Sequence, residues 1–361
     1  MIVEGLVTSI DQAQRTLAGA EAMASAAGLR ISATGAVEDP NPTPAHATPE
    51  DVRQQEFDLP ARAAKMEEIA ALVAQALRAA TQADELAAPE LDKLAAQTGV
   101  ADPTQALTGL QGEASSIELA MLGGDIPVNM EPAFVRSWWA GLTPEQQHTL
   151  MLSDPVTLSK LAGLPKSVAD EMRGPDGKFD RVAAVEWALA NWDNTEGDIF
   201  ANNCTNFVSE ALEKGGLKYK IGPFGIQGGG DDVWGRGGNL HTGWGWLDDK
   251  VNNNITHSAT WMNAGKLQNF LLENGSEDIP RSEVRPGDII FLDQSGPSPD
   301  HKPGEPHHAA IVTAVTPDGD IRYTQHTDPR QNVSLDGRMP GEIKAEGTQT
   351  VRVVRVKPNW Y

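Results

Sequence analysis

The sequence predicts an α+β fold preceded by an all-α region with a long helical hairpin. Alanine and leucine dominate the first hundred residues, where apolar positions recur at helical spacing. Beyond about residue 175 the chain gains Trp, Asn, Gly and β-branched residues, and helical patterns precede a series of strand patterns. Helices followed by an antiparallel sheet are typical of the α+β class.

Length and charge set limits on function. The chain has 361 residues, a net charge of -21 and 40% hydrophobic residues, which suffice for ordinary cores. No cluster of Lys and Arg offers the basic face that a nucleic acid requires, so no nucleic-acid partner is expected. No stretch approaches the ~18 apolar residues of a membrane helix, so no membrane span is expected.

The first predicted region, residues 1–104, is an alanine-rich helical hairpin. The predicted elements are a helix over 5–28, a hairpin over 30–37, a helix over 49–84 and a helix over 89–97. The long helix is expected to be interrupted near Pro60. Its apolar stripe consists of Val73, Ala76, Leu77 and Ala80. Such a hairpin suits either a coiled-coil-like spacer or an export adaptor.

The second predicted region, residues 105–175, consists of short helices. Trp138 and Trp139 are expected to anchor a core, and Thr-Pro-Glu-Gln at 143–146 predicts a capped helix start. The region resembles the helical segment that precedes catalytic domains in large actinobacterial secreted proteins. The first residues lack the basic start and apolar run of a secretory signal. We therefore expect secretion without a standard signal peptide, with a cytoplasmic location as the alternative.

The third region, residues 176–361, begins after a turn-rich boundary and predicts the α+β domain. Its predicted helices cover 179–192, 203–214 and 262–274. Its predicted strands cover 288–293, 308–315, 320–326 and 350–357. A glycine-rich segment over 225–246 holds three tryptophans that would either stack on a sugar or fill a core. These are Trp234, Trp244 and Trp246.

Cys204 is the single cysteine of the chain, and its surroundings predict a reactive thiol. Asn203 is a good N-cap residue. An apolar stripe at helical spacing follows, made of Phe207, Val208, Ala211 and Leu212. Cys204 therefore belongs to the first helical turn, where free amides and the helix dipole favour a thiolate. A buried structural cysteine is the alternative, but the flanking residues are polar.

His308 is the best candidate for the base that a thiolate hydrolase needs. It begins an apolar strand and follows the cysteine in the papain-type order. The adjacent His307 is less suitable because His308 joins the strand directly. Counting through a hairpin turn at 317–320 brings Asp328 or Pro329 opposite His308, with His326 a little short of it. The side chains of His326 and Asp328 both suit a group that orients the imidazole, and one bulge would change the register.

The remaining candidate site residues concern substrate binding. Asn202 or Asn203, with the backbone amide of Cys204, would form an oxyanion hole, although helix capping explains the two asparagines equally well. Trp261 starts a helix that is expected near the cleft. No metal and no cofactor is expected, since the two adjacent histidines would point to opposite faces of their strand.

These residues together resemble the putative amidase domain family, which is similar to the NlpC/P60 and CHAP peptidases. The resemblance covers about residues 179–335. It is carried by Phe-Asp-Arg-Val-Ala-Ala-Val-Glu-Trp-Ala at 179–188, Asn-Cys-Thr-Asn-Phe-Val-Ser at 203–209, Arg-Pro-Gly-Asp-Ile-Ile at 285–290, His-Ala-Ala-Ile-Val-Thr at 308–313 and Gln-His-Thr at 325–327.

The resemblance implies a papain-like domain with a triad of Cys, His and a third polar residue. Matched residue by residue, the triad positions are Cys204, His308 and His326. It also implies hydrolysis of an amide bond, often in a cell-wall peptide. The expected partner is then a peptide or peptidoglycan-type amide substrate.

Two functions of other classes remain open. The first is a secreted toxin or effector, whose catalytic domain would deamidate or cleave a target protein. Such a protein would have a secretion apparatus and an immunity protein as partners. The second is a non-catalytic binding module, in which Cys204 would be an ordinary thiol.

Overall fold

The structure is a computed structural model that describes most of the chain. The described residues are 2–32, 34–40, 49–96, 123, 126–195, 198, 202–221, 230–237, 257–298 and 301–361. They form two compact units. One holds the described residues up to Gln147 together with Leu161–Leu164, and the other holds His148–Lys160 and Pro165–Tyr361.

The secondary structure mixes helices with short and medium strands. The helices are α1 (Ile2–Ala26), α2 (Pro49–Ala96), α3 (Pro132–Gly141), α4 (Pro144–Ser153), α5 (Pro155–Ser159), α6 (Lys166–Arg173), α7 (Arg181–Asn191), α8 (Cys204–Lys214), α9 (Ala259–Met262), α10 (Ala264–Glu273) and α11 (Leu335–Glu346). The strands are β1 (Arg30–Ile31), β2 (Val37–Glu38), β3 (Glu277–Asp278), β4 (Ile289–Gln294), β5 (Pro306–Val315), β6 (Ile321–Gln325), β7 (Arg330–Ser334) and β8 (Gln349–Arg355). The predicted α+β class is confirmed.

The first unit is built on the long helices α1 and α2, with the predicted hairpin of β1 and β2 between them in sequence. The interruption predicted near Pro60 was wrong: α2 continues through it and includes the stretch predicted as a separate helix. Packing of a long apolar face outweighs the hydrogen bond that Pro removes. That face is one turn earlier than predicted, because Leu77 is 56% exposed. It consists of Ile69, Leu72, Val73 and Ala76.

The structure around α3 and the start of α4 agrees with the predictions from the sequence. Trp138 and Trp139 are buried, as expected of core anchors. The predicted capped start of α4 is confirmed: the Thr143 N–H donates to Gln146 Oε1 over 2.9 Å, and the Gln146 N–H donates to Thr143 Oγ1 over 3.3 Å. These reciprocal bonds satisfy backbone donors that a helix start would otherwise leave unpaired.

The second unit is organised around an antiparallel sheet with the strand order β3-β8-β4-β5-β6-β7. The strands predicted near β4, β5, β6 and β8 are confirmed. The strand β7 and the helix α11 were not predicted from the sequence. Pro340 and Gly341 stand in the middle of α11, and both residue types disfavour a helix interior. Ser334 begins that helix by accepting a hydrogen bond from the Gly337 N–H over 2.9 Å.

Both faces of the central strands are covered, because alternate residues of β4 and β5 enter two different cores. The first core packs α7, α8 and α10 against one face, with contributions from Phe207, Phe270, Phe291, Ala309 and Ile311. The second core lies on the opposite face, beside α11, and includes Leu292, Ala310, Val312, Tyr323 and Leu335. The site described below lies where β5 begins and β6 ends.

In the part of the chain that the structure describes, no helix combines the length and the hydrophobicity needed to cross a membrane.

Candidate active site

Cys204 is the first residue of α8 and so lies in the first helical turn, as the sequence predicted. The stripe of Phe207, Val208, Ala211 and Leu212 is buried and holds this helix on the sheet. Asn203 occupies the N-cap position but makes no side-chain cap. Its Nδ2 donates instead to Asp198 Oδ1 over 2.5 Å. The start of α8 is therefore anchored to its neighbours rather than capped by its own side chain.

The thiol of Cys204 is only 3% exposed, and several donors surround it. Burial raises the pKa of the thiol. The hydrogen bond and positive charge of His308, the Ala309 backbone N–H and the Thr205 hydroxyl lower that pKa by more, to about 7. The Thr205 oxygen lies 3.7 Å from Sγ. A substantial thiolate population at neutral pH follows.

His308 stands near the start of β5, opposite Leu292 of β4. Burial lowers the pKa of the imidazole, whereas the hydrogen bond and charge of Cys204, followed by the hydrogen bond of Gln325, raise it, and the net shift is upward. The thiol and the imidazole thus shift in opposite directions, as a thiolate and an imidazolium that stabilise each other would.

Gln325 is the residue that orients His308. Its Oε1 lies 2.9 Å from His308 Nε2. Its own Nε2 donates to the backbone oxygens of Thr327 and Asp328, over 2.9 and 3.0 Å. These two acceptors determine which way the amide points, so the oxygen faces the ring and His308 Nε2–H is the donor. The other ring nitrogen, Nδ1, is left for the thiol.

A β-bulge explains why Gln325 takes this position. Near the turn, β5 and β6 pair Val315 with Ile321. The register shifts by one residue between Ala314 and Val312, so farther from the turn Ile311 pairs with Thr324. Continued to His308, the shifted register places Thr327 opposite it and Gln325 diagonal to it on the same face. Because side chains alternate along a strand, the unshifted count had placed the neighbouring residues there instead.

His326 lies on the other face of the sheet. Its Nδ1 is 2.7 Å from the Trp192 backbone oxygen, and its Nε2 is 2.7 Å from Asp198 Oδ1. The ring is 4% exposed and stacks on Phe207 of α8, with centroids 5.6 Å apart. Both ring nitrogens are therefore used away from His308, and the structure does not bring these two histidines together.

Asp328, the other predicted partner of His308, does not contact it through its side chain. The carboxylate accepts hydrogen bonds from Arg330 over 3.0 Å and from Arg338 over 3.4 Å. Its backbone has a φ of 52°, which suits the turn after β6. Asp328 contributes to the site through its backbone oxygen, which helps to hold Gln325.

A cavity of about 440 Å³ opens beside His308. Its walls come from the ends of β4, β5 and β6, from α11 and from Asn202, two residues before Cys204. The lining residues are Asn202, Leu292, His301, His307, His308, Gln325, Thr327, Asp328, Arg338, Glu342 and Ala345. Arg338 and Glu342 of α11 pair over 2.9 Å and place charges of both signs on the wall. Neither residue was predicted from the sequence, because the helix α11 that carries both was not predicted.

The predicted substrate residues separate into two groups. Asn202 lines the cavity, next to the amides that open α8. Asn203 is buried, with its amide nitrogen bonded to Asp198. Trp261 lies in the core at 0% exposure, where its indole N–H donates to Asn206 Oδ1 over 2.7 Å. Of these three residues, Asn202 is the one placed to contact a molecule in the cavity.

Part of the predicted glycine-rich segment lies outside the described residues, including Trp244 and Trp246. Trp234, which is described, is fully buried and stacks on Trp261 with centroids 5.0 Å apart. It therefore fills the core rather than a sugar site. Within the described ranges, no three His, Cys, Asp or Glu side chains are grouped to hold a metal ion.

Comparisons with known proteins find a match in the part of the chain that holds this site. Residues 178–351 match the family described as "Putative amidase domain". The chain is 27% identical over 182 residues to the uncharacterized protein YhbB of Bacillus subtilis (strain 168). That alignment covers 46% of this chain and 50% of the relative, so the chain spans about half the length of the curated relative. No solved structure matches the chain. The comparisons support an amidase-like family, and an amide-hydrolysing activity, for residues 178–351.

Proposed function

We propose that residues 176–361 form a papain-like, cysteine-dependent amide hydrolase with Cys204 as nucleophile and His308 as base. The observation that carries the proposal is the hydrogen-bonded pair itself. The pKa of the thiol is lowered to about 7 against the effect of burial, and the pKa of His308 is raised. A binding fold has no use for a depressed thiol pKa, whereas a thiol nucleophile requires one.

The proposed reaction is acyl transfer in two steps. The Cys204 thiolate attacks the amide carbonyl carbon, and the tetrahedral oxyanion collapses as the C–N bond breaks. The imidazolium of His308 gives its Nδ1 proton to the leaving amine. His308 then takes a proton from water, the hydroxide attacks the thioester, and the Cys204 thiolate leaves with release of the carboxylic acid.

Gln325 is the proposed third member of the triad. Its oxygen holds Nε2–H of His308, so that Nδ1 faces the thiol. This tautomer is the productive one because a proton can be exchanged only at the nitrogen that faces the reacting atoms. Gln325 is neutral, so it orients the imidazolium without the additional negative charge that an aspartate would supply.

Asn202 and the backbone N–H of Cys204 are the proposed oxyanion donors. The amide of Cys204 belongs to the first turn of α8, where N–H groups have no helical acceptor. Asn202 lines the cavity from which a substrate carbonyl would approach. Its side-chain amide suits a developing negative charge, and loss of one such donor typically costs about 10²- to 10³-fold in rate.

We further propose that the substrate is a peptide, with cell-wall peptides as the first class to test. The cavity wall is polar and carries Arg338, Glu342 and Asp328, as suits a substrate with hydrogen-bonding groups and charges. Secretion without a signal peptide and an immunity-protein partner remain predictions from the sequence.

The first experiment is the pH dependence of Cys204 alkylation by iodoacetamide in the wild type and in His308→Ala. Because the chain has one cysteine, the reaction reports a single site. We expect a midpoint near 7 in the wild type, and a midpoint of about 8.5 or above in the variant, which lacks the imidazolium.

An ordinary midpoint in both proteins would contradict the hydrolase and favour a binding module. The matched activity experiment incubates wild type and Cys204→Ala with purified peptidoglycan peptides and with unrelated peptides, and detects new amines. Cleavage that persists in Cys204→Ala would exclude Cys204 as the nucleophile.

A further inference from the structure

The three residues that end β6 and follow it reach two different parts of the site. Gln325 contacts the base, His308, on one face of the sheet. His326 and Thr327 contact the segment that leads into the nucleophile helix α8. Three consecutive residues therefore contact both the proposed base and the segment that precedes the proposed nucleophile.

His326 has three sets of contacts on its side of the sheet. Its Nδ1 is 2.7 Å from the oxygen of Trp192, directly after α7, and its Nε2 is 2.7 Å from Asp198 Oδ1. Its ring stacks on Phe207, one turn into α8. The Trp192 carbonyl and the Asp198 carboxylate are both acceptors, so each can accept a hydrogen bond from the ring.

Asp198 connects His326 to Asn203, the residue before the nucleophile. The same oxygen, Oδ1, that faces His326 accepts a 2.5 Å hydrogen bond from Asn203 Nδ2. In a second contact, Thr327 Oγ1 accepts a hydrogen bond from the backbone N–H of Asn203 over 2.8 Å. Asn203 is thus held from its side chain and from its backbone, and Cys204 follows it directly.

We propose that His326 is a positioning residue, which acts through Asp198 and Asn203 to hold the first turn of α8 so that Cys204 Sγ stays within reach of His308. This role rests on the proposed hydrolase function. It differs from the role that the family resemblance implies for His326, since the contact runs to the nucleophile's helix and not to the base. A displacement of about 1 Å at a reacting group can cost on the order of 10²-fold in rate.

Three substitutions at His326 separate its contacts. His326→Gln keeps an amide donor near the position of Nε2, toward Asp198. His326→Asn keeps a donor near the position of Nδ1, toward the Trp192 oxygen. His326→Ala removes both. The readouts are the pH midpoint of Cys204 alkylation and kcat on the peptide that the wild type cleaves.

We expect His326→Gln to retain the wild-type midpoint and to keep kcat within about threefold, while the Asn and Ala variants lose about 10- to 100-fold and shift the midpoint upward. His257→Gln is the matched control, because His257 is a 5% exposed histidine of the same unit that lies beside Trp261. It should leave the midpoint unchanged even if it lowers the melting temperature.

A second variant protects the test against misfolding of His326→Ala. Asp198 is part-exposed, so Asp198→Ala should fold, and it removes the acceptor shared by His326 and Asn203. It should reproduce the loss of kcat and the upward midpoint shift. Thr327→Val, which removes the second tether of Asn203, should act in the same direction.

An unchanged midpoint and kcat in both His326→Ala and Asp198→Ala would overturn the positioning role. The outcome is separable from failure of the hydrolase itself. If the wild type already has an ordinary thiol midpoint that His308→Ala does not move, the proposed function fails. If the wild type and His308→Ala behave as expected while the His326 and Asp198 variants match the wild type, the positioning role alone fails.

Discussion

His308 and His326 stand close to the ends of two neighbouring strands, yet their surroundings differ. His308 faces the cavity and meets a thiol and a neutral amide. His326 faces the helical layer and meets a backbone oxygen and a carboxylate. The same residue type therefore serves as a candidate base on one face and as a structural anchor on the other. The face on which the side chain lies decides the chemistry.

The largest expected effect tests the His308 side of this comparison. Cys204→Ser replaces the thiol with a hydroxyl that His308 deprotonates far less readily, and we expect the rate of amide cleavage to fall by about 10⁴-fold or more. Steady-state kinetics measures it, with the free energy of unfolding as a check on folding. Activity within tenfold of the wild type would mean that the thiol is not the nucleophile.

The next effect distinguishes Gln325 from Asp328, which lies in the turn after β6. Gln325→Leu removes the oxygen that holds His308 Nε2, and we expect kcat to fall on the order of 10²-fold. The matched variant Asp328→Asn keeps the left-handed backbone, which Asn tolerates. It removes a carboxylate of the cavity wall that does not contact His308, so kcat should change by less than about threefold, and any effect on substrate binding should fall on KM. The reverse order of effects would restore Asp328 as the orienting group.

The pH profile sharpens the assignment of the ion pair. The active form carries a thiolate and an imidazolium. Its population rises as pH increases through the thiol pKa of about 7 and falls as pH increases through the raised pKa of His308. We expect a bell-shaped profile of kcat/KM for the free enzyme. Gln325→Glu adds a negative charge beside the imidazolium, so its alkaline limb should move to higher pH. If the alkaline limb stays at the same pH in this variant, the pKa that it reports does not belong to His308.

The smallest expected effect concerns Trp261. Trp261→Phe keeps a ring in the core but removes the indole N–H that Asn206 accepts. The lost bond leaves a buried acceptor unpaired, so we expect a loss of about 1–3 kcal/mol in the free energy of unfolding with KM unchanged. Chemical denaturation and steady-state kinetics measure the two quantities. A raised KM at unchanged stability would return Trp261 to the substrate site.

The sequence by itself determined the local features of the site. Polar residues before Cys204 and an apolar stripe after it placed the cysteine in the first turn of α8. The apolar run after His308 placed that residue near the head of β5. Such patterns depend on spacing along one element, so they can be recognised without knowing what the element packs against.

Only the tertiary structure decided which residues meet across elements. The extra residue in β5 moved Gln325 onto the face of His308 and turned His326 toward α8, and no pattern in the sequence marks that bulge. Likewise α11, which supplies Arg338 and Glu342 to the cavity, forms against the local preference of Pro340 and Gly341. The physical reason is common to both. A register shift by one residue exchanges the faces of a strand, and packing outweighs a weak local propensity, so neither outcome is encoded in a short stretch of residues.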